Sequence, residues 1–132
     1  MSWDSLTLAF LPDRYAVCRL GADDAVPDWA YSRGFVSITR TQEELSIVCL
    51  QDRVPPDVTC QQDWRCLKIE GPIDFAQTGV LASLAGPLAD AGIPIFVIST
   101  YDTDYLLVSE PQATLAVDVL SSAGHRIKKP DP

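Results

Sequence analysis

Four cysteines and a single histidine are the residues of this 132-residue chain whose types suit metal or redox chemistry, and their spacing argues against both. A structural zinc needs Cys-x2-4-Cys pairs or histidines at matching intervals. Cys60 and Cys66 are instead separated by five residues, and His125 has no second histidine to join it. Without a Cys-x-x-Cys the two make a poor redox pair. Cys18 and Cys49 fall within strand-like stretches, where a free cysteine acts as a small hydrophobe. Reduced thiols in the cytoplasm, no bound metal and no cofactor are the expectation.

Nucleophilic catalysis fares no better. Ser121 and Ser122 stand near His125 in sequence only, and all three fall at the end of a predicted helix. The chain has no Gly-x-Ser-x-Gly, no phosphate loop and no His-Glu-x-x-His. Glu43 and Glu44 read as a solvated turn. With no nucleophile beside a positioned base, the chain is not expected to be an enzyme. What remains is acidic and lies in two loops, residues 70–79 with Asp74 and residues 99–104 with Asp102 and Asp104. Taken alone, these are ordinary turn residues, and Thr78 is an ordinary helix cap.

The elements that would position those loops are legible from periodicity. In the first half, Leu6 to Phe10 alternates, Tyr15 to Leu20 returns as a second strand, and Pro27 to Tyr31 could make one helical turn. Residues 35–39 and 45–49 follow as strands. Residues 52–63, polar and holding Pro55-Pro56, read as a linker. The second half is better organised. Residues 65–70 alternate. Residues 78–91 place Val80, Leu81, Leu84, Ala85, Leu88 and Ala91 on one helical face, with Gly92 as the stop and a kink expected after Ser83 because Pro87 removes a backbone donor. Residues 93–98 read as a strand buried on both faces, and residues 105–108 as another. Ser109 and Gln112 form a capping-box pattern ahead of a second helix that ends at Gly124, and residues 125–127 close as a strand. Residues 65–127 therefore read β-α-β-β-α-β, an α+β, ferredoxin-like arrangement with two helices on one face of an antiparallel sheet. The first half looks like an abbreviated version of the same plan, so the expected domains are residues 1–62 and 63–132.

Composition bounds the partners. Ten Lys and Arg against eighteen Asp and Glu give a net charge of −8, which suits neither a phosphate backbone nor an anionic membrane surface. No apolar run approaches the ~20 residues of a membrane span, and Asp4 with no preceding basic residue does not open a secretory signal. The RNA-recognition motif shares the β-α-β-β-α-β order, but Leu106 and Leu107 stand where its aromatic platform would be.

Two stretches resemble a known family. Thr78-Gly79-Val80-Leu81-Ala82, with Pro87-Leu88-Ala89-Asp90-Ala91-Gly92-Ile93, is similar to the first helix and second strand of ACT domains, the amino-acid-binding regulatory modules of aspartate kinase. Ile98-Ser99-Thr100-Tyr101-Asp102-Thr103-Asp104, running into Tyr105-Leu106-Leu107-Val108, resembles the loop before the third strand in the ACT repeats of cytosolic arginine sensing. Residues 35–41 and 46–48 resemble the N-terminal repeat of the same proteins. The resemblance implies a regulatory protein binding an amino acid through Asp74, Thr78, Gly79, Val80, Ser99, Thr100, Tyr101, Asp102 and Asp104. The chain is less than half as long as such sensors, so a site shared between full ACT domains would need two copies, and a homodimer is expected. The physical fit is direct. A ligand carboxylate suits the amides at a helix start, here Gly79 and Val80, where the absent side chain of glycine lets a ligand approach. An ammonium or cationic side chain suits Asp74, Asp102 or Asp104, and Tyr101 could stack on it. A ligand-free oligomerisation module is the competing reading.

Overall fold

The computed structural model describes residues 5–70 and 79–128. Eight strands and two α-helices occur among them: β1 (Thr7–Phe10), β2 (Tyr15–Leu20), β3 (Ser37–Arg40), β4 (Leu45–Leu50), β5 (Cys60–Ile69), α1 (Val80–Asp90), β6 (Phe96–Ser99), β7 (Asp104–Ser109), α2 (Ala113–Ser122) and β8 (Arg126–Lys128). The chain divides into two compact units, one of residues 13–64 and the other of residues 1–12 with 65–132. This differs from the expected boundary at 62/63 in one instructive way. The strand at the chain's start does not join the N-terminal repeat. Leu8 pairs with Ile69 antiparallel and with Ile127 parallel, so β1 lies between β5 and β8. Its alternating residues bury Leu8 and Phe10 in the core of the second unit. The first unit is therefore an insertion within the second in sequence.

In the second unit the element order is β5-α1-β6-β7-α2-β8, the predicted β-α-β-β-α-β, and the strands lie in the order β8-β1-β5-β7-β6. Helix α1 buries Val80, Leu84 and Leu88, the i, i+4, i+8 positions of one face, and α2 buries Ala113, Ala116 and Leu120. These meet Leu8, Phe10, Leu67, Ile69, Leu106 and Val108 from the strands. Both helices end, as their sequences predict, ahead of glycines with positive φ, Gly92 (74°) and Gly124 (100°).

Three local expectations are corrected. The continuous apolar run at 93–98 forms only the four-residue β6, which pairs with β7 alone among the described residues; Phe96, Val97 and Ile98 are half-buried, as an edge strand allows. The Ser109–Gln112 capping box does not form. A 3-10 turn, Glu110–Gln112, precedes α2, and the Ser109 hydroxyl donates to Gln112 Oε1 at 3.1 Å instead of capping an amide. The supposed linker is a strand from Cys60 onward.

The first unit orders its strands β3-β4-β2-β5, all antiparallel. Taking β2, β3, β4 and the start of β5 as first to fourth, this is 4-1-3-2, the same plan as the ferredoxin-like order. Only 3-10 turns, Asp28–Ala30 and Gln51–Arg53, occupy the two places where that plan puts α-helices. Ala16, Cys18, Ala30, Leu45, Ile47 and Cys49 form its core.

Candidate functional site

The second unit gathers its candidate residues at the edge where β5 ends. Residues 100–103 connect β6 to β7 as a tight loop closed by Ser99 pairing with Asp104. Two threonines shape it. Thr100 N–H donates to Thr103 C=O at 2.8 Å, the Thr100 hydroxyl donates to the same carbonyl at 3.0 Å, and Thr103 N–H donates back to the Thr100 hydroxyl at 3.3 Å. Thr103 is buried, and its own hydroxyl donates to Ile69 C=O at 2.8 Å. The loop is thereby tied to the last residue of β5.

The N-terminus of α1 is brought to the same edge by His125. Leu6 N–H, at the start of β1, donates to His125 Nδ1 at 3.0 Å. The other nitrogen, Nε2, therefore carries the hydrogen and donates to Ser83 C=O at 3.1 Å. That carbonyl would ordinarily accept from the amide four residues on, but position 87 is proline. His125 supplies the missing donor, and α1 continues through Pro87 as one element, as expected from sequence. The histidine does follow a helix end, as predicted. Its ring, however, is buried and committed to two backbone groups rather than facing the α2 terminus. Since β1 starts where β5 ends, with Glu70 N–H donating to Thr7 C=O at 2.8 Å, the first turn of α1 lies at the edge that also holds the 100–103 loop.

That first turn is suited to an anion. Gly79 takes the N-cap position with φ of 79°, a left-handed conformation that glycine adopts without strain, and among the described residues no side chain caps the helix. The first helical bond is Ser83 N–H to Gly79 C=O, so the amides of Val80, Leu81 and Ala82 have no helical acceptor. No acidic side chain lies in the turn to offset the positive end of the helix dipole. Across the edge, Asp102 is exposed and Asp104 half-buried, with Ser99, Thr100 and Tyr101 exposed. The structure thus groups Gly79, Val80, Ser99, Thr100, Tyr101, Asp102 and Asp104 at one edge; Asp74 and Thr78 lie outside the described residues. Sequence reasoning missed Thr103 and His125, which hold the edge together. The Thr100-x-x-Thr103 spacing was the available signal for the first, and Pro87 orphaning Ser83 C=O was the signal for the second.

A cleft of about 340 Å³ opens at the opposite end of the same unit, beside the start of α2. The Arg65 guanidinium there stacks on Phe10, 4.9 Å from the ring centre, and pairs with Glu110 at 3.3 Å; Asp118 and Val117 complete the wall. None of these residues was a candidate from sequence.

Fold and edge together define an α+β, ferredoxin-like domain. Residues 59–122 match the ACT domain family, so the chain carries an ACT domain. Residues 13–57, almost the whole inserted unit, match a second family described as an N-terminal domain. The chain is 30% identical over 115 residues to the cytosolic arginine sensor for mTORC1 subunit 1 of Rattus norvegicus; the match takes in 82% of this chain but only 33% of that protein. The chain therefore spans about a third of the length of this curated relative. A crystal structure of an Agobacterium tumefaciens protein superposes with a TM-score of 0.93 at 45% identity, covering 97% of this chain and 96% of that one. The regulatory subunit of aspartate kinase from Thermus flavus shares the fold, with a TM-score of 0.61 at 13% identity, over 88% and 95% of the two chains.

Proposed function

We propose that this chain is a regulatory ACT-domain protein that binds an amino acid, or a metabolite of the same charge pattern, where the 100–103 loop meets the start of α1. The ligand carboxylate would rest on the amides of Val80 and its neighbours, approaching closely over Gly79. Its ammonium, or a cationic side chain, would pair with Asp104 and Asp102, with Ser99, Thr100 and Tyr101 lining the approach; Asp74 and Thr78 are further candidates from the sequence alone. A binding role without turnover accords with the names of the relatives, a sensor and a regulatory subunit. The sensor's name also favours the cytoplasm. Signalling would run through association of two copies, ACT sheets having free edges suited to pairing.

One observation carries this reading. The Thr103 hydroxyl bound to Ile69 C=O holds an acid-bearing loop at the edge where α1 begins from Gly79. A thermal-shift screen of the twenty amino acids tests it. A ligand at a hundredfold its dissociation constant stabilises by about 2.7 kcal/mol, raising the melting temperature by several degrees. No shift with any of the twenty would refute binding of a standard amino acid at this edge. Light scattering tests the assembly separately, with a dimer expected at micromolar concentration and a monomer contradicting it.

A further inference from the structure

The inserted unit contains a feature that its cysteine spacing conceals. Cys18 on β2 and Cys60 on β5 are 42 residues apart in numbering (60 less 18) yet stand directly opposite in the antiparallel register. The neighbouring pair fixes their geometry. Arg19 N–H donates to Thr59 C=O at 2.9 Å, so positions 19 and 59 form a hydrogen-bonded pair. The ladder alternates, which makes 18 and 60 a non-hydrogen-bonded pair with a Cα separation of about 4.5 Å. Disulfides span Cα separations of roughly 4.4–6.8 Å, so the pair can be bridged without moving the backbone. Cys49, on the other side of β2, is opposite Ala16 and hence only diagonal to Cys18, at about 7–8 Å. The Cys49 thiol, together with burial, raises the Cys18 thiol above its ordinary value. All four cysteines are free thiols here, and Cys60 is the one that solvent reaches, the others being buried.

We propose that Cys18 and Cys60 are a redox-responsive dithiol, oxidised by small-molecule disulfides to a cross-strand bond that locks β2 to β5. The chemistry is two successive thiol–disulfide exchanges. The Cys60 thiolate attacks one sulfur of the oxidant, forming a mixed disulfide and expelling one small thiolate. The Cys18 thiolate then attacks Cys60 Sγ, closing the protein disulfide and expelling the second. The oxidant gains two electrons, and the two protein thiol protons end on the two released thiols. Desolvation raises the Cys60 thiol, and the Cys49 thiol with burial raises Cys18, so both exchanges are slow near neutral pH. Cys66 is excluded from the pair, since it is buried and its cross-strand neighbour is Leu11, whose N–H donates to Cys66 C=O at 2.8 Å.

The test uses the full chain under native conditions with oxidised glutathione, followed by intact mass and non-reducing peptide mapping. The expected product is a chain lighter by two hydrogens, with a peptide linking Cys18 to Cys60 that dithiothreitol releases. Cys18→Ala should stop the reaction at a glutathione adduct on Cys60, and Cys60→Ala should slow oxidation at least tenfold. Both variants are first checked for native circular dichroism. The wild-type map alone decides the matter if either fails to fold. A stable glutathione adduct on wild-type Cys60, a Cys18–Cys49 link, or oxidation only in denaturant would each overturn the proposal.

Discussion

The two units share a strand plan and differ in what connects the strands. In residues 13–64 the connections between strands hold 3-10 turns of three residues each, and the core is small: two alanines, two cysteines, a leucine and an isoleucine. In the second unit the equivalent connections are helices of eleven and ten residues, and the core cluster carries six leucines at 0% exposure. Helices bring more than apolar area. A helix start is a set of amides without helical acceptors, and an abbreviated repeat has none to offer a ligand. On the proposed reading, binding therefore falls to the second unit, and the first is a compact sheet carrying the Cys18–Cys60 pair.

The largest expected effect tests whether the helices hold up the second unit. Leu84→Ala on α1 removes a fully buried side chain and should cost about 2–5 kcal/mol. Ala30→Gly in the 3-10 turn of the first unit should cost only about 1 kcal/mol. Urea denaturation compares them, and equal costs would erase the distinction.

A smaller effect probes how α1 is held. His125→Ala strands Leu6 N–H and Ser83 C=O and should cost about 1–3 kcal/mol. Pro87→Ala restores an amide able to donate to Ser83 C=O, so removing His125 should cost less in that background. A double-mutant cycle reads the coupling, and strict additivity would show that His125 does not substitute for the missing donor.

Much of this was legible in the sequence. The spacing of Val80, Leu84 and Leu88 gave α1 its buried face, and Gly92 and Gly124 marked both helix ends. The 99–104 loop was readable as a turn because its residues are local to one another. Placement across the chain was not. Nothing in Leu6 to Phe10 indicates that its partners are residues 67–69 and 126–128, because strand pairing depends on contacts distant in sequence. Nor could spacing reveal that Cys18 faces Cys60. Thr103 and His125 escaped for the same reason: each acts through a carbonyl more than thirty residues away.

The smallest effect on stability concerns the loop itself. Thr103→Val keeps the shape, removes the bond to Ile69 C=O, and should cost about 1 kcal/mol. It should also weaken ligand binding, since the acids would lose their anchor. Unchanged affinity in a destabilised variant would show that the tie serves folding alone.

The central claim, that the edge formed by the 100–103 loop and α1 binds an amino acid, is tested most directly at Asp104. Calorimetry on wild type and Asp104→Asn, with the amino acid giving the largest thermal shift, measures its contribution. A charge-assisted bond to an ammonium or guanidinium is worth about 1.5–3 kcal/mol. The substitution should therefore weaken binding roughly ten- to a hundredfold while leaving the melting temperature of the free protein nearly unchanged. Equal affinity in the two proteins would contradict the account.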